Sequence, residues 1–554
     1  MRAKTEYYKW LKSPRLSDEE RAELLSISDD EVEIESRFHE PLRFGTAGLR
    51  GIMSTGLARM NIHVVRWATQ AMAELMLLRG GGTCAVCYDC REHSREFAEA
   101  AAGVLAANGL HVRIFDDMRP TPEISFAIRH YGCIAGINIT ASHNPKEYNG
   151  YKVYWADGAQ LPPEHAAEVA GLMEATDIFE GVRYMSFEDA QKAGLITVMG
   201  RETDEAYLQA VLCQSFADEA VKSALAGMTV VYTPFHGAGR ELVPEVLSRI
   251  GVGNIVCVPE QMVPDGSFPT VFSPNPENPE GFALAVKLAK QVKADLIIGT
   301  DPDSDRVGML ISQGDEYVHM SGNQTGVLLT DYILGARKRA GRLPNRPAVI
   351  KTIVTTELAR CVAESYGAEC YDTFTGFKYM AELIKKFEET GGPEVVFSFE
   401  ESFGYMPGTD VRDKDGVSAS MLIAEMAAYH ISRGGGVMPA LEELWRKFGF
   451  YDERTRNILM EGVEGQERIR AIMQSLRSSV PSEIGGIRVE EVRDYLPEGS
   501  DVLRFSLEGG TMVLVRPSGT EPKLKIYTLA RGETADSCAE QLRRTSDFLA
   551  RWIM

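Results

Sequence analysis

The segment Thr140-Ala141-Ser142-His143-Asn144-Pro145 puts a hydroxyl and an imidazole side by side where regular structure must stop. Cys133 to Ile139 before it reads as a buried strand, and Asn144-Pro145 favours a turn, so Ser142 is expected at a strand's carboxyl end. Open α/β sheets place their ligand crevices there. A serine hydroxyl is a weak nucleophile unless a neighbour accepts its proton or stabilises developing charge, and His143 and Lys152 are close enough in sequence to do so. The chemistry this suits is carriage of a phosphoryl group on Ser142. Taken alone, the same residues also describe an ordinary Ser/Asn/Pro turn.

A second segment favours the chemical reading. The short apolar run Ala294 to Thr300 leads directly into Asp301-Pro302-Asp303-Ser304-Asp305-Arg306. In an extended chain, positions i, i+2 and i+4 share a face, so the three carboxylates are expected to converge. Packed carboxylates repel unless a cation joins them, and hard oxygen ligands suit magnesium, which leaves coordination positions for water and a phosphate oxygen. A calcium EF-hand starts with the same spacing but needs glycine at its sixth position and glutamate at its twelfth. Arg306 and Ser312 stand there.

Two further segments suit a phosphorylated sugar. Val395 to Phe399 reads as a buried strand running into Glu400-Glu401-Ser402-Phe403-Gly404, whose carboxylates and hydroxyl can orient a polyol ring. Arg516-Pro517-Ser518-Gly519-Thr520-Glu521-Pro522-Lys523, between the strands Met512 to Val515 and Leu524 to Tyr527, combines a forked cation, hydroxyls and a flexible glycine. That composition can cradle a phosphate that is not being transferred.

In this order the segments resemble the α-D-phosphohexomutases, the family that includes phosphoglucomutase and phosphomannomutase. The resemblance starts at Phe44-Gly45-Thr46-Ala47-Gly48-Leu49-Arg50-Gly51 and spans nearly the whole chain. It implies that Ser142 carries the phosphoryl group and that Asp301, Asp303 and Asp305 hold one magnesium ion together with a phosphoserine oxygen. It also implies that Glu400 and Ser402 read the sugar, and that Arg516, Ser518, Gly519 and Thr520 grip its phosphate. Arg50, His143, Lys152 and Arg306 match active-site positions. Thr375-Gly376-Phe377-Lys378 and Asp413-Lys414-Asp415-Gly416 are marks of the branch containing bacterial phosphoglucomutases and phosphoglucomutase-2-like and phosphopentomutase enzymes, which adds Thr375, Gly376, Lys378 and Lys414 to the substrate site. Gly404 stands where the dual-specificity bacterial enzymes have a histidine, which lowers the expectation of mannose as the preferred sugar. The implied activity is interconversion of glucose 1-phosphate and glucose 6-phosphate through glucose 1,6-bisphosphate. Mannose and pentose phosphates stay open as substrates, and a metal-dependent sugar phosphatase is the rival that a bisphosphate requirement would separate.

These segments need strands that end at a common place. Strand and helix patterns alternate for most of the chain: helical at Asn61 to Arg79, strand at Gly82 to Tyr88, helical at Ser94 to Asn108, strand at Leu110 to Phe115, a helical stretch from Thr203 to Leu225, then strand again at Met228 to Tyr232. The 554 residues allow roughly four domains. The resemblance implies three similar α/β/α domains with mixed, mostly parallel sheets and a smaller C-terminal α+β domain around a central cleft. Boundaries are expected near 1–202, 203–316, 317–436 and 437–554, the last at Gly434-Gly435-Gly436.

A net charge of −20 argues against nucleic-acid or anionic-membrane partners, so phosphate must be held by local cations. The N-terminal segment lacks an apolar signal core, and a cytoplasmic monomer or homodimer acting on a small phosphosugar is expected. Nine cysteines suggest free thiols rather than a disulfide framework; along a strand Cys84 and Cys87 would point to opposite faces, which argues against a shared zinc site.

Overall fold

The computed structural model describes residues 2–45, 48–460, 462–518 and 523–553, without the side chains of residues 462, 463 and 553. Three successive sheets follow one plan. The first holds β1 (Leu49–Ile52), β2 (Thr83–Tyr88), β3 (His111–Phe115), β4 (Ala135–Ile139), β5 (Tyr148–Trp155) and β6 (Ile196–Met199) in the order β1-β5-β4-β2-β3-β6. Strands β4, β2, β3 and β6 run parallel, while β5 and β1 return antiparallel. The second orders β7 (Thr229–Thr233), β8 (Asn254–Cys257), β9 (Leu296–Thr300), β10 (Val307–Gln313) and β11 (Glu316–His319) as β11-β10-β9-β7-β8, with β9, β7 and β8 parallel. The third orders β12 (Pro347–Thr352), β13 (Glu369–Thr373), β14 (Glu394–Glu400) and β15 (Gly404–Pro407) as β13-β12-β14-β15, parallel except for β15.

Each sheet therefore carries an antiparallel return off a buried parallel strand: β4 into β5, β9 into β10, β14 into β15. The three turns hold Ser142, Asp301 to Asp305, and Glu401 to Ser402. A non-glycine residue with positive φ bends each one: Ser142 at 52°, Ser304 at 53° and Phe403 at 66°. That backbone costs roughly 1–2 kcal/mol for an L-residue, so the surroundings impose it. Strand β4 shows why the approach strands are apolar throughout: Ile137 belongs to the same apolar cluster as Val64 and Leu105, and Gly136 on the other face packs against Ile124 and Ile128. Both faces of such a sheet are covered. The same alternation sends Cys84 and Cys87 into different apolar clusters.

The second and third units share one hydrophobic core, in which Leu225, Val246 and Val307 meet Leu328, Ile350, Leu422 and Met426. The fourth sheet is antiparallel throughout: β16 (Phe450–Leu459), β17 (Glu483–Ile484), β18 (Ile487–Asp494), β19 (Leu503–Leu507), β20 (Met512–Pro517) and β21 (Lys523–Gly532), ordered β16-β21-β20-β19-β18-β17. Its helices Gly462–Ser478 and Ala535–Ile553 cover one face through Met473 and Leu549. The other face presents Leu514, Tyr527 and Leu529 to Ile353 and Val354 of the third unit. No helix among the described residues is long and apolar enough to cross a membrane.

Packing corrects several expected limits. The stretch from Thr203 to Leu225 is two helices, Arg201–Leu212 and Glu219–Gly227, the second started by Asp218, whose side chain accepts from the Val221 amide. The second unit runs past residue 316, because β11 pairs with β10. The expected division at 436 and 437 falls inside the third unit: the helix Val437–Phe448 buries Leu441 and Leu444 in its core, and the chain leaves at Gly449, whose φ is 99°. Three helices ahead of the first sheet, Arg2–Lys12, Asp18–Ser26 and Glu31–Phe38, join the first unit's core through Trp10, which meets Phe38 of the third helix and Phe179 edge-on with ring centroids 5.8 and 5.1 Å away.

Candidate active site

Ser142 is 3% exposed. Its Oγ donates to Asp301 Oδ2 at 2.8 Å and stands 3.1 Å from His143 Nδ1, while its amide donates to Thr140 Oγ1 at 2.8 Å. The Thr140 hydroxyl in turn donates to Asp89 Oδ2 at 2.6 Å. Beside Asp89 lies Arg91, 3.4 Å away, and both side chains are wholly buried. The Arg91 guanidinium donates to the main-chain carbonyls of Ser142, Asn144, Pro145 and Tyr148, so one cation holds the whole serine turn. Sequence reasoning passed over this pair. The available signal was its position: two opposite charges immediately beyond an apolar strand, as Ser142 is beyond β4.

The three aspartates converge, one carboxylate oxygen from each lying within 4.8 Å of the others. They do so in a curled turn, not in the extended chain that their spacing suggested. Asp301 Oδ1 accepts from the amides of Asp305 (3.1 Å) and Arg306 (2.9 Å), which winds the segment about its first carboxylate. Asp303 Oδ2 accepts from Lys152 Nζ at 2.6 Å and Thr121 Oγ1 at 2.7 Å. Asp305 Oδ2 faces Lys152 at 3.2 Å and Lys414 at 3.1 Å. The remaining oxygens, Asp303 Oδ1 and Asp305 Oδ1, are buried without a hydrogen-bond partner among the described residues. A buried acceptor left in that condition costs about 1–3 kcal/mol, more when charged, and a hard divalent cation is what satisfies it. The donor set fits such an ion. Burial, then Asp303 and Asp305, push the Asp301 carboxyl well up, and a bound cation would reverse that.

Lys152 lies on β5 opposite Asn138. Asn138 Nδ2 donates to Thr121 Oγ1 at 2.8 Å, so a single hydrogen-bond chain runs from β4 through Thr121 to Asp303 and Lys152. Burial works against the Lys152 charge, but Asp303 and Asp305 raise its pKa overall. His143 goes the other way: burial, then Arg306 and Arg50, hold its imidazole well below the usual range. Arg50 on β1 donates to Asn144 Oδ1 at 3.0 Å. Its strand comes this close because Gly48, with φ 78°, lies against β5; a Cβ there would stand 1.8 Å from the Tyr151 carbonyl oxygen.

The third unit contributes Lys414. Its Nζ pairs with Asp413 at 2.9 Å as well as Asp305, and Asp413 accepts from Tyr154 and Gln160 of the first unit at 3.1 and 2.9 Å. Next to it, the Gly416 amide donates to the Ser304 carbonyl at 3.1 Å. A Cβ on Gly404 would meet the Lys414 stem at 2.4 Å and the Phe377 ring at 3.1 Å, so glycine there makes room for this lysine.

Glu400, at the end of β14, accepts from the Gly376 amide at 2.5 Å and reaches Ser402 Oγ at 3.5 Å. Glu401 turns aside to Thr352 and Thr355, which leaves Glu400 as the carboxylate facing the junction. Arg516 of β20 donates to Thr375 Oγ1, joining the fourth unit to the third. Lys378 follows on the helix Phe377–Thr390, its pKa lowered by burial. The Ser518 amide donates to the Lys523 carbonyl at 2.8 Å and so helps close the last loop. Gly519 and Thr520 lie outside the described residues.

The chain is similar to known proteins. Models of the phosphoglucomutase/phosphomannomutase α/β/α domains I, II and III match residues 41–178, 205–314 and 321–448, and that of the C-terminal domain matches 476–544. A Staphylococcus aureus phosphoglucomutase is 34% identical over 92% of this chain and 93% of its own length. One from Staphylococcus saprophyticus is 33% identical over 92% and 94%. Among solved structures, parafusin from Paramecium, a phosphoglucomutase in its open form, aligns with a TM-score of 0.69 at 17% identity over 93% of this chain and 96% of its own. A phosphoglucomutase/phosphomannomutase family protein from Burkholderia thailandensis gives 0.67 at 18% identity over 92% and 96%. These two share the fold.

Proposed function

The chain belongs to the phosphoglucomutase/phosphomannomutase family, the α-D-phosphohexomutases, and we propose that it interconverts α-D-glucose 1-phosphate and glucose 6-phosphate through a phosphoserine at Ser142. The observation that carries this reading is the pairing of Ser142 Oγ with Asp301, inside a cluster of carboxylates and cations, while a separate cation, Arg516, waits on another unit. Two phosphate positions are what a mutase needs and a simple phosphatase does not.

Moving a phosphoryl group between two hydroxyls of one sugar requires a holder, because both oxygens cannot reach one fixed acceptor in a single pose. Phospho-Ser142 would be that holder. The free sugar hydroxyl attacks its phosphorus, the bond to Ser142 Oγ breaks, and the hydroxyl proton passes to a base. The resulting glucose 1,6-bisphosphate turns over, Ser142 Oγ attacks its other phosphorus and gives up its proton, and the bond from that phosphorus to the sugar oxygen breaks, the oxygen taking a proton to leave as the free hydroxyl. His143, kept neutral, suits the proton-accepting role at Ser142. Lys152, kept cationic between Asp303 and Asp305, suits charge stabilisation and proton donation. Asp301, Asp303 and Asp305 would hold magnesium, which when bound offsets charge on the transferring group. Glu400 and Ser402, with Gly376 and Lys414 beside them, would orient the ring hydroxyls. Arg516, with Ser518, Gly519, Thr520, Thr375 and Lys378, would grip the idle phosphate, while Arg50 and Arg306 flank the transferring one. Because doubly charged sugar phosphates do not cross membranes unaided, the reading carries a cytoplasmic enzyme with it.

The test is turnover of glucose 1-phosphate with magnesium and a trace of glucose 1,6-bisphosphate, against mannose 1-phosphate and ribose 1-phosphate. Preference for glucose supports the proposal. Release of inorganic phosphate without glucose 6-phosphate overturns it in favour of a phosphatase.

A further inference from the structure

The cation next to the triad already has an anionic partner that the mechanism does not use. Arg306 Nη1 donates to Glu277 Oε1 at 2.9 Å, and Glu277 comes from the loop ahead of the helix Ala283–Val292, not from any segment singled out in the sequence. The Arg306 side chain is 17% exposed and that of Glu277 is 40%. This is more than a chance pair of a buried cation with a rim carboxylate, because the loop is fixed. Pro274, Pro276 and Pro279 restrict its backbone, Asn275 Oδ1 accepts from the Glu277 amide at 3.1 Å, and His319 Nε2 lies 2.9 Å from the Pro276 carbonyl oxygen.

The position of Arg306 is what gives the pair meaning. On one side its charge acts on His143, which touches Ser142 Oγ. On the other, strand register places Lys525 beside Arg516, on the same face of the fourth sheet as Tyr527, toward the third unit. Glu277 acts electrostatically on Lys525 as well as on Arg306. Arg306 Nε and Arg516 Nε are both buried without a hydrogen-bond partner among the described residues, so the two guanidinium groups keep donors in reserve. One carboxylate thus stands among the cations that a phosphate group would use.

We propose that Glu277 is an internal competitor for the phosphate of a phosphosugar: its carboxylate holds Arg306, must be displaced when a phosphate engages that guanidinium, and thereby weakens anion binding enough for the bisphosphate and product to turn and leave. This rests on the phosphosugar mutase reading.

The experiment uses full-length enzyme with magnesium and inorganic phosphate as the probe, read both by calorimetry and as a competitive inhibitor. Glu277→Gln keeps the side-chain shape and removes the competing charge. Phosphate should bind about three- to tenfold more tightly, with a matching fall in KM for glucose 1-phosphate larger than any change in kcat, and Glu277→Asp should restore the weaker binding. In an Arg306→Gln background the gain from Glu277→Gln should vanish. Unchanged or weaker phosphate binding in Glu277→Gln would overturn the proposal and make Glu277 a residue that merely orients Arg306. Calorimetry needs no turnover, so an enzyme that failed to isomerise glucose 1-phosphate would sink the functional reading while leaving this test intact.

Discussion

Ser142 Oγ and Asp301 Oδ2 stand 2.8 Å apart across 159 residues of chain, so the serine turn of one α/β unit and the carboxylate turn of the next form a single site. Two equivalent β-returns, β4 into β5 and β9 into β10, face each other there. The hydroxyl that would carry phosphate is hydrogen-bonded to a group that would hold the metal.

Ser142→Ala should therefore remove the proposed covalent carrier without disturbing the turn, because Arg91 holds that turn by its main-chain carbonyls. Turnover should fall by at least about three orders of magnitude with little change in Tm. Intact-mass spectrometry should find one phosphate on the wild type and none on the variant. Near-normal mutase rates in the alanine variant would remove Ser142 from the mechanism.

Asp303 has one oxygen bound by Lys152 and Thr121 and the other buried without a partner. Asp303→Asn should lower magnesium affinity and turnover together, while Lys152 loses its shorter ion pair. Chelation should abolish wild-type activity, and magnesium should restore it better than calcium, since a compact set of carboxylates favours short octahedral coordination. Full activity in excess chelator would exclude the triad from catalysis.

Glu453 on β16 accepts from Ser321 Oγ at 2.7 Å, bridging the fourth unit to the start of the helix Gly322–Arg339. Burial pushes its carboxyl up from 4.5 to about 7. A carboxyl whose pKa is higher in the folded protein than in the unfolded chain contributes stability that is fully present below about 4.5 and is lost as pH rises through about 7. Thermal unfolding followed from pH 5 to 8 should show a decline in Tm that Glu453→Gln makes shallower. Parallel curves for the two proteins would mean that Glu453 is solvated and titrates normally.

What the sequence disclosed was local. The serine turn, the aspartates and the Arg516 loop are each contained in a few consecutive residues beside an apolar strand, so type and spacing make them stand out. Arg91 and Glu277 are different: each acts on residues dozens of positions away, and nothing in Cys90-Arg91-Glu92 or Pro276-Glu277-Asn278 marks the partner. The aspartates were found for a reason that only half applies, since the curl around Asp301 Oδ1 gathers them and strand alternation does not. Gly434 to Gly436 reads as a boundary because a glycine run looks the same inside a domain as between two. The burial of Leu441 and Leu444 beyond it decides the matter, and that is a tertiary fact.

Arg516 carries the last prediction. It extends from β20, whose neighbours Leu514 on the same strand and Tyr527 and Leu529 on β21 rest on Ile353 and Val354, and its guanidinium reaches Thr375 of the third unit. The contact joins the fourth unit to the loop before the helix Phe377–Thr390, so a phosphate bound between them would draw the two units together about the crossing at Gly449. Arg516→Ala deletes a charge-assisted, potentially bidentate contact of about 1.5–3 kcal/mol, roughly ten- to more than a hundredfold in kcat/KM. Since either end of the sugar would occupy the proposed grip in turn, the loss should be similar from glucose 1-phosphate and from glucose 6-phosphate. Magnesium affinity, which Asp301, Asp303 and Asp305 of the second unit would set, should not move. A variant that lost metal binding but kept both sugar-phosphate directions would show that Arg516 supports the carboxylate turn and grips no phosphate, and the fourth unit would then need another part in the reaction.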